Sequence, residues 1–438
     1  MLKFGDTYLN FGGTYLKDFI VNTNPLNLPS GTIRLRYKDN VTPSFSKGTA
    51  VQLSKSPNIW DLTYDSWEWQ DLLKRHTELI EVLGANTTNV TIARSMFEGC
   101  TSLTNVALFD TSNVTDMSYA FCACNSLTTI PAFDTSKVIS FESAFALCVS
   151  LKTIPLLDTS NATKMKSMFF SCYSLTTIPL IDTSNVSNMD RMFNGCTSLI
   201  SVPLLDTHNV SIMSYMFYNC ENIESIPLFD TSNVTNMIEM FYGCKSLTTI
   251  PTFNTPKLTD IRSLFVGCVS LNEVPLLDTS KTHDMKSLFE GCSSLLSIPS
   301  FDTHNVSSME KMFKNCISLT SIPLINTSAV KSTTTMFYNC SSLNSLPLLD
   351  TSNVTNMEEM CCFCTNLNKV PTFNTNKVSA MGYAFGFCEN VSAGALELYK
   401  QASTQTTPPI THGKAFRDCG IYSQTGSAEL AQIPSDWK

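Results

Sequence analysis

Charge is scarce in this chain: Asp, Glu, Lys and Arg make up 15% of 438 residues. Lys and Arg nowhere form a block, and the formal net charge is −8. A phosphate-binding face needs clustered cations, so a nucleic-acid partner is excluded. Long apolar runs are also missing. None approaches the ~20 residues that a membrane-crossing helix needs, which argues against membrane insertion. The opening stretch MLKFGDTYLNFGG has no apolar signal-peptide core, and the first cysteine, Cys100, rules out a lipobox. The expectation is a mature form, or a chain not exported by the general route. Histidine is rare, with five residues. His76, His283 and His412 have no motif around them, and His208 and His304 are too far apart to share a site. No nucleophile elbow, phosphate loop or isolated carboxylate pair is present. The chain therefore reads as no enzyme, with no cofactor and no catalytic residues.

Cysteine, by contrast, is abundant and ordered. Thirteen cysteines stand 24 residues apart, from Cys100, Cys124 and Cys148 through to Cys364 and Cys388, without an insertion. Such a period means one structural unit stacked on its copies, none of which buries its apolar face alone. One unit, 230–253, reads DTSNVTNMIEMFYGCKSLTTIPTF. Asp or Asn opens each unit and Thr follows. Phe stands three before the Cys in twelve of thirteen units, Cys361 being the exception. Val234, Met237 and Phe241 have the spacing of a short helix face. Gly or Asn before the Cys, as at Gly243 and Asn219, suits a left-handed residue that ends such a helix. After the Cys, Leu151, Ile154 and Leu156 carry the L-x-x-I-x-L signature of a leucine-rich-repeat strand. A Pro follows the Ile, Val or Leu of that slot in eleven units, so the strand should be only about three or four residues long. Asp-Thr-Ser-Asn then makes a turn in which Asx side chains accept downstream N–H groups.

The expected fold is a leucine-rich-repeat-like solenoid of 13 to 14 coils of 24 residues, with short parallel strands and short helical turns. Residues 86–391 form it. Residues 1–85, with an echo FGDTYLN/FGGTYLK, form a small N-terminal α+β or β cap or attachment domain. In it a strand is expected over Thr32–Tyr37, a turn at Asp39-Asn40 and a helix over Trp67–Leu83; Trp60, Trp67 and Trp69 suggest a small core. Residues 392–438 form a C-terminal cap. There a helix is expected over Gly394–Ala402, then a divergent unit at Ala415, Phe416 and Cys419, then a polar tail from Ser427.

The unit FDTSNVTNMxxMFxxCxSLT, here Phe229 to Thr248, resembles the repeat of BspA-like leucine-rich-repeat proteins. That resemblance implies a surface protein used for adhesion, without enzymatic activity. Family members usually carry an export signal and often an anchor. The flanking segments also resemble those of proteins from gut bacteria and their phages, which implies a virion component as one origin.

The ladder cysteines point the same way in adjacent units, poor geometry for disulfides, so stacked free thiols are expected. Cys361, Cys362 and Cys364 form the densest thiol cluster, but two of them occupy core slots, so no metal is expected. The aspartates lack the glycine-rich pattern of a calcium repeat. Specificity falls to the two positions between the Met pair, read as outward: Ser118-Tyr119, Lys166-Ser167, Asp190-Arg191, Ser214-Tyr215, Glu310-Lys311 and Glu358-Glu359. Tyr215, Tyr218 and Tyr242 are the candidate interaction patch, the alternative being scattered surface tyrosines. The Thr128-Thr129 and Thr176-Thr177 strip is a glycan-binding or simply a soluble face. The function read from this is recognition of a host-surface protein or glycan, or of neighbouring structural proteins, at a virion or cell surface. The alternative is a structural spacer. Homo-oligomerisation is open, since an unshielded solenoid side could pack against copies of itself.

Overall fold

The structure is a computed structural model that describes residues 2–4, 7–9 and 26–438. The FGDTYLN/FGGTYLK echo lies mostly outside the described residues. Strands β1 (Leu2–Phe4) and β2 (Thr7–Leu9) pair antiparallel. Strands β3 (Thr32–Tyr37), β4 (Thr49–Lys55), β5 (Asn58–Thr63), β6 (Leu79–Ala85) and β7 (Asn105–Val106) form one sheet in the order β4-β5-β3-β6-β7. Ile33, Leu35 and Tyr37 bury one face of β3. Arg34 grips Asp61 through two bonds of 2.7 and 2.8 Å on the other. Trp69 is fully buried, while Trp67 is 57% exposed and contributes nothing to a core.

No helix spans Trp67–Leu83. That stretch is instead another coil. Trp69, Leu72, Leu73, His76 and Leu79 stand 24 residues before Ala93, Met96, Phe97, Cys100 and Leu103. Trp69, Asp71, Leu73 and Arg75 each send their N–H to the next coil, to Ile92, Arg94, Met96 and Glu98. The sheet and the stack therefore share one hydrogen-bonded array, joined where β6 pairs parallel with β7.

The expected helical turns are also absent, and the reason lies in the hydrogen bonds. In one coil, Met240, Tyr242 and Cys244 donate to Met237, Glu239 and Phe241, closing three-residue turns of 3.1, 3.2 and 3.1 Å. The alternate residues Met237, Glu239, Phe241 and Gly243 donate forward to Asp260, Arg262, Leu264 and Val266 of the following coil at 2.7–3.1 Å. Each amide thus has a partner, as buried backbone requires. To keep alternate N–H groups on one side while turning, the chain goes left-handed twice per coil, here at Glu239 (φ 53) and Gly243 (φ 71). A left-handed non-glycine residue costs about 1–2 kcal/mol, which the inter-coil bonds offset. Gly and Asn before the Cys are left-handed as expected, but they sit within a run of turns, not at a helix end.

Inward residues recur every third position up to Met240 and again from Phe241 onward. Thr231, Val234, Met237, Met240, Cys244, Leu247, Ile250 and Phe253 are all buried, with Phe241 beside Met240. In the L-x-x-I-x-L segment the inward residue is therefore Leu157 (2% exposed), not Leu156 (50% exposed). The expected strand is likewise missing from the proline-bearing coils. Parallel bridges instead run through the residue before the first Met, as in Ile212, Asn236 and Asp260. The two-residue β7 occurs in a coil with Ala107 where others have Pro, and the Ala107 N–H donates to Val82 at 2.8 Å. Proline has no such donor.

At the far end, α1 (Ala395–Thr404) fills the insertion. Lys414 and Asp418 are left-handed like their counterparts, and Met381, Phe385 and Phe387 donate to Thr411, Ala415 and Arg417. The tail is not simply polar. After α2 (Gln424–Gln432), Ile433 and Trp437 are buried, and the Phe416 N–H donates to Trp437 at 2.9 Å.

Two predictions follow from the ladder. Deleting residues 230–253 should leave a folded chain shorter by about one inter-chain spacing, ~4.8 Å, whereas deleting twelve residues should unfold or aggregate it. Circular dichroism and small-angle scattering on both deletions test this, and equal behaviour would contradict the register. The second concerns His76, which fills the Cys slot of the first coil, bonds the Tyr37 hydroxyl at 2.6 Å and stacks on Phe45 at 5.5 Å. Burial lowers its pKa. The unfolded chain therefore takes up the proton first, and stability falls as pH drops below about 6.5 towards the lower folded value. Tryptophan-fluorescence melts should show this loss between pH 7 and 5, and His76→Asn should flatten it. An equal slope in both proteins would exclude His76 as the source.

Candidate functional site

The face built from the alternating turns carries the variable side chains. Of the two positions between the Met pair, the second is always the left-handed residue, as at Tyr215 (φ 56). The first is not always outward, which corrects the sequence reading: Ser118, Asp190 and Ser214 are 1%, 5% and 6% exposed. Asp190 is the centre of a small network. It accepts from Lys166 at 3.0 Å, Arg191 at 2.7 Å and the Ser214 hydroxyl at 2.8 Å.

That network fixes Arg191, whose guanidinium carbon lies 4.3 Å from the Tyr215 ring centre. Such a contact is attractive by the ring quadrupole. Tyr215 and Tyr218 are 6.0 Å apart at 51°, and Tyr218 stacks on Tyr242 at 4.6 Å and 15°. The structure thus brings Tyr215, Tyr218 and Tyr242 together, half-buried, and adds Arg191. Glu239, left-handed on the next coil, lies close enough to influence Tyr215 electrostatically, and burial raises its carboxyl pKa. The result is a platform of flat rings with one cation and one carboxylate, able to stack on a ring or sugar face and to donate and accept hydrogen bonds.

A second aromatic group escaped the sequence reading. Phe363 and Phe387 stack at 4.5 Å and 2°, with Tyr338 edge-on at 5.6 Å and Tyr383 at 6.3 Å. Arg417 and Lys414 lie over Phe387 and Tyr383 at 5.1 and 5.7 Å. The signal was available: Phe replaces Gly or Asn before two successive ladder cysteines, where the backbone is left-handed (φ 63 and 59). A bulky residue there is unusual.

The ladder residues are occupied elsewhere. Each of the thirteen ladder cysteines donates its thiol to the carbonyl of the residue 27 positions earlier, at 3.0–3.1 Å. That carbonyl belongs to Phe in eleven coils, to Leu73 for Cys100 and to Cys361 for Cys388. All seventeen cysteines are unpaired. Among the described residues no group of three or more His, Cys, Asp or Glu could hold a metal ion. His208 and His304 do what Ser does elsewhere, bonding Asp206 and Asp302 at 2.7 and 2.6 Å. The aspartates cap the following turn, as at Ser232 N–H to Asp230, 3.0 Å.

A family described as "Mycoplasma protein of unknown function, DUF285" matches residues 72–178, 163–275, 200–295, 245–346, 273–368 and 344–407. The chain belongs to this family. The matched stretch begins at Leu72, inside the coil that precedes the cysteine ladder. No curated protein matches the sequence. Among solved structures, a leucine-rich cell surface protein from Faecalibacterium prausnitzii is 20% identical, with 68% of this chain and 74% of that one covered at a TM-score of 0.36. A leucine-rich repeat protein from Eubacterium ventriosum is 15% identical, covering 62% and 84%, with a TM-score of 0.35. The T. pallidum leucine-rich repeat protein is 19% identical, covering 49% and 76%, at 0.26. The leucine-rich-repeat-like fold of this chain rests on its own bonded coils. No helix among the described residues is long and apolar enough to cross a membrane.

The thiol chemistry is testable. Burial raises ladder thiols such as Cys124 and Cys196 well above their ordinary value, and even half-exposed Cys122 is pushed up to about 11. The thiolate is the reactive form. Iodoacetamide at neutral pH should therefore leave the native protein nearly unmodified, with Cys122 the first to react, and should modify all seventeen after denaturation without reductant. A denatured count near one would mean a chain of disulfides.

Proposed function

We propose that this protein is a non-enzymatic recognition protein, the solenoid presenting its turn-ladder face to a host-surface protein or glycan. The observation that carries the reading is the Tyr215–Tyr218–Tyr242 group with Arg191 beside it. The core and the ladders use the repeated residues, and these rings are required by neither. Tyrosine and arginine are enriched in binding centres, and flat rings suit sugar faces and extended chains alike. The BspA-like resemblance of the repeat supports an adhesive role at a cell surface or, for a phage-encoded chain, on a virion. In this reading the residues before the coil at Trp67 are the attachment end, the coils from Trp67 to Val391 the recognition arm and residues 392–438 the closing cap. A structural spacer is the second reading, favoured by the unbroken coil step, which sets length with little regard to surface chemistry.

Replacing Tyr215, Tyr218 and Tyr242 together by Ala distinguishes them. The melting temperature should fall only slightly, because half-exposed ring pairs contribute about 0.5–1.5 kcal/mol each. Attachment to host cells or an arrayed glycan should weaken by more than about tenfold, because aromatic centres of interfaces often contribute ~2 kcal/mol or more. Phe241→Ala should instead lose ~3–5 kcal/mol of stability through a core cavity. Full attachment by the folded triple variant would remove this patch and favour the spacer reading, with contacts made by the ends.

A further inference from the structure

Half a coil on from the tyrosines, the residue after Pro points into solvent. On four consecutive coils it is leucine: Leu156, Leu180, Leu204 and Leu228, with 50 to 62% of the residue exposed. Leu276, Leu324 and Leu348 continue the column at 55, 67 and 66%. The repeat does not demand leucine here, since Thr252 and Ser300 occupy the same slot in folded coils. Seven such side chains with their prolines offer at least roughly 600 Å² of nearly continuous apolar surface, at the upper end of what a monomer usually exposes.

We propose that this leucine column is a self-association surface, on which a second copy of this chain packs side by side, parallel and in register. Three observations select that occupant. The column repeats at the coil step, and a partner must present matching features at the same step over many coils; another copy of this solenoid does so by construction. The gaps at Thr252 and Ser300 then meet their own equivalents, so leucine faces leucine wherever there is one. The area is also adequate: about 1,200 Å² over both copies reaches the lower bound of specific interfaces.

The flanking columns set the direction. The chain crosses this face in the order Thr176-Thr177, Leu180, Asp182 and repeats that order on each coil. An exposed carboxylate column, Asp182, Asp206 and Asp230, therefore runs along one side of the leucines, while the other side is mostly hydroxyls with Lys152, Glu224 and Glu273 as its charges. Asp206 and Asp230 stay charged, because bonds from His208 and Ser232 hold them below the usual carboxylate range. A two-fold axis along the solenoid lays each Asp column against the partner's hydroxyl column. An antiparallel pair lays Asp against Asp, which repels. The parallel pair is thus the favoured one.

The test uses the full chain and the variant Leu180→Thr/Leu204→Thr/Leu228→Thr. Threonine already stands in this slot at 252, so the fold tolerates it; an unchanged melting curve verifies that. Sedimentation velocity should find the wild type at twice the chain mass and the variant at the chain mass. Energy transfer between copies labelled at their N-termini should be high in the wild type, as a parallel pair requires. A wild type that is monomeric at about 100 µM, well above the Kd of a specific dimer, would overturn the proposal and leave the column to a foreign partner or to the N-terminal segment of the chain. So would a folded variant that remains dimeric, or transfer only between opposite ends. None of these substitutions touches the tyrosine face, so failure here leaves the recognition reading standing, and the reverse holds.

Discussion

Every second amide of the turn segment belongs to the next coil, and the rest of the structure follows from that division. In coil 230–253 the N–H groups of Met237, Glu239, Phe241 and Gly243 leave the coil, and those of Met240, Tyr242 and Cys244 close it. Adding or removing one residue would exchange the two sets and strand buried donors, each costing about 1–3 kcal/mol. This explains why the 24-residue count never slips between Cys100 and Cys388. The one insertion, filled by α1, enters between Cys388 and Cys419, in the arc after the Leu. In most coils that arc sends one amide to its neighbour, as Ile200 does to Thr176, so extra residues there disturb little.

The same ladder explains the side chains it holds. Phe97 to Phe337 form an unbroken stack with ring centres 5.3–5.9 Å apart. The carbonyl of each Phe accepts a turn amide from its own coil. It also accepts a thiol from the next, as Phe217 does from Cys220 at 3.0 Å and Cys244 at 3.1 Å. Two lone pairs allow both. Cysteine is small enough for the slot and carries a donor, which accounts for its recurrence better than apolar packing alone. A stack of this kind needs ends. His76 closes one by bonding Tyr37, and Trp437 closes the other by accepting from Phe416 and stacking on His412 at 4.2 Å.

The period, the left-handed Gly and Asn, the Asx turns, the strand Thr32–Tyr37 and the late helix were legible because each depends on residues close in sequence. The turn segment was misread because Val234, Met237 and Phe241 fit a helix face and a run of three-residue turns equally well. What separates them is where the amides go, and composition does not record that. The missing strands trace to the proline whose effect was foreseen as shortening only. Ala107 shows what the segment does with a donor restored. The coil at 67–79 hid because Trp69, Leu72, Leu73 and His76 keep the offsets of the repeat without its letters. The tyrosine patch was found from offsets alone, whereas Arg191 and the Asp190 network that aims it required coordinates.

Position in the coil therefore sorts residues by obligation. Thr231, Cys244 and Leu247 face inward at 0% exposure and bind coil to coil. Gly243 and Asn219 satisfy the backbone's left-handed points. What remains is a set of slots that can change from coil to coil without disturbing either: Tyr215 against Ser167 and Lys311 at the turn face, Leu204 against Thr252 and Ser300 at the proline face. Because contacts in such a stack are made with nearest neighbours, a change in one slot has little energetic route to the other. The two faces can thus hold different partners independently. One offers rings with a fixed cation, the other a straight apolar edge beside a carboxylate column. A chain built this way can lengthen, by whole coils, without redesigning either surface.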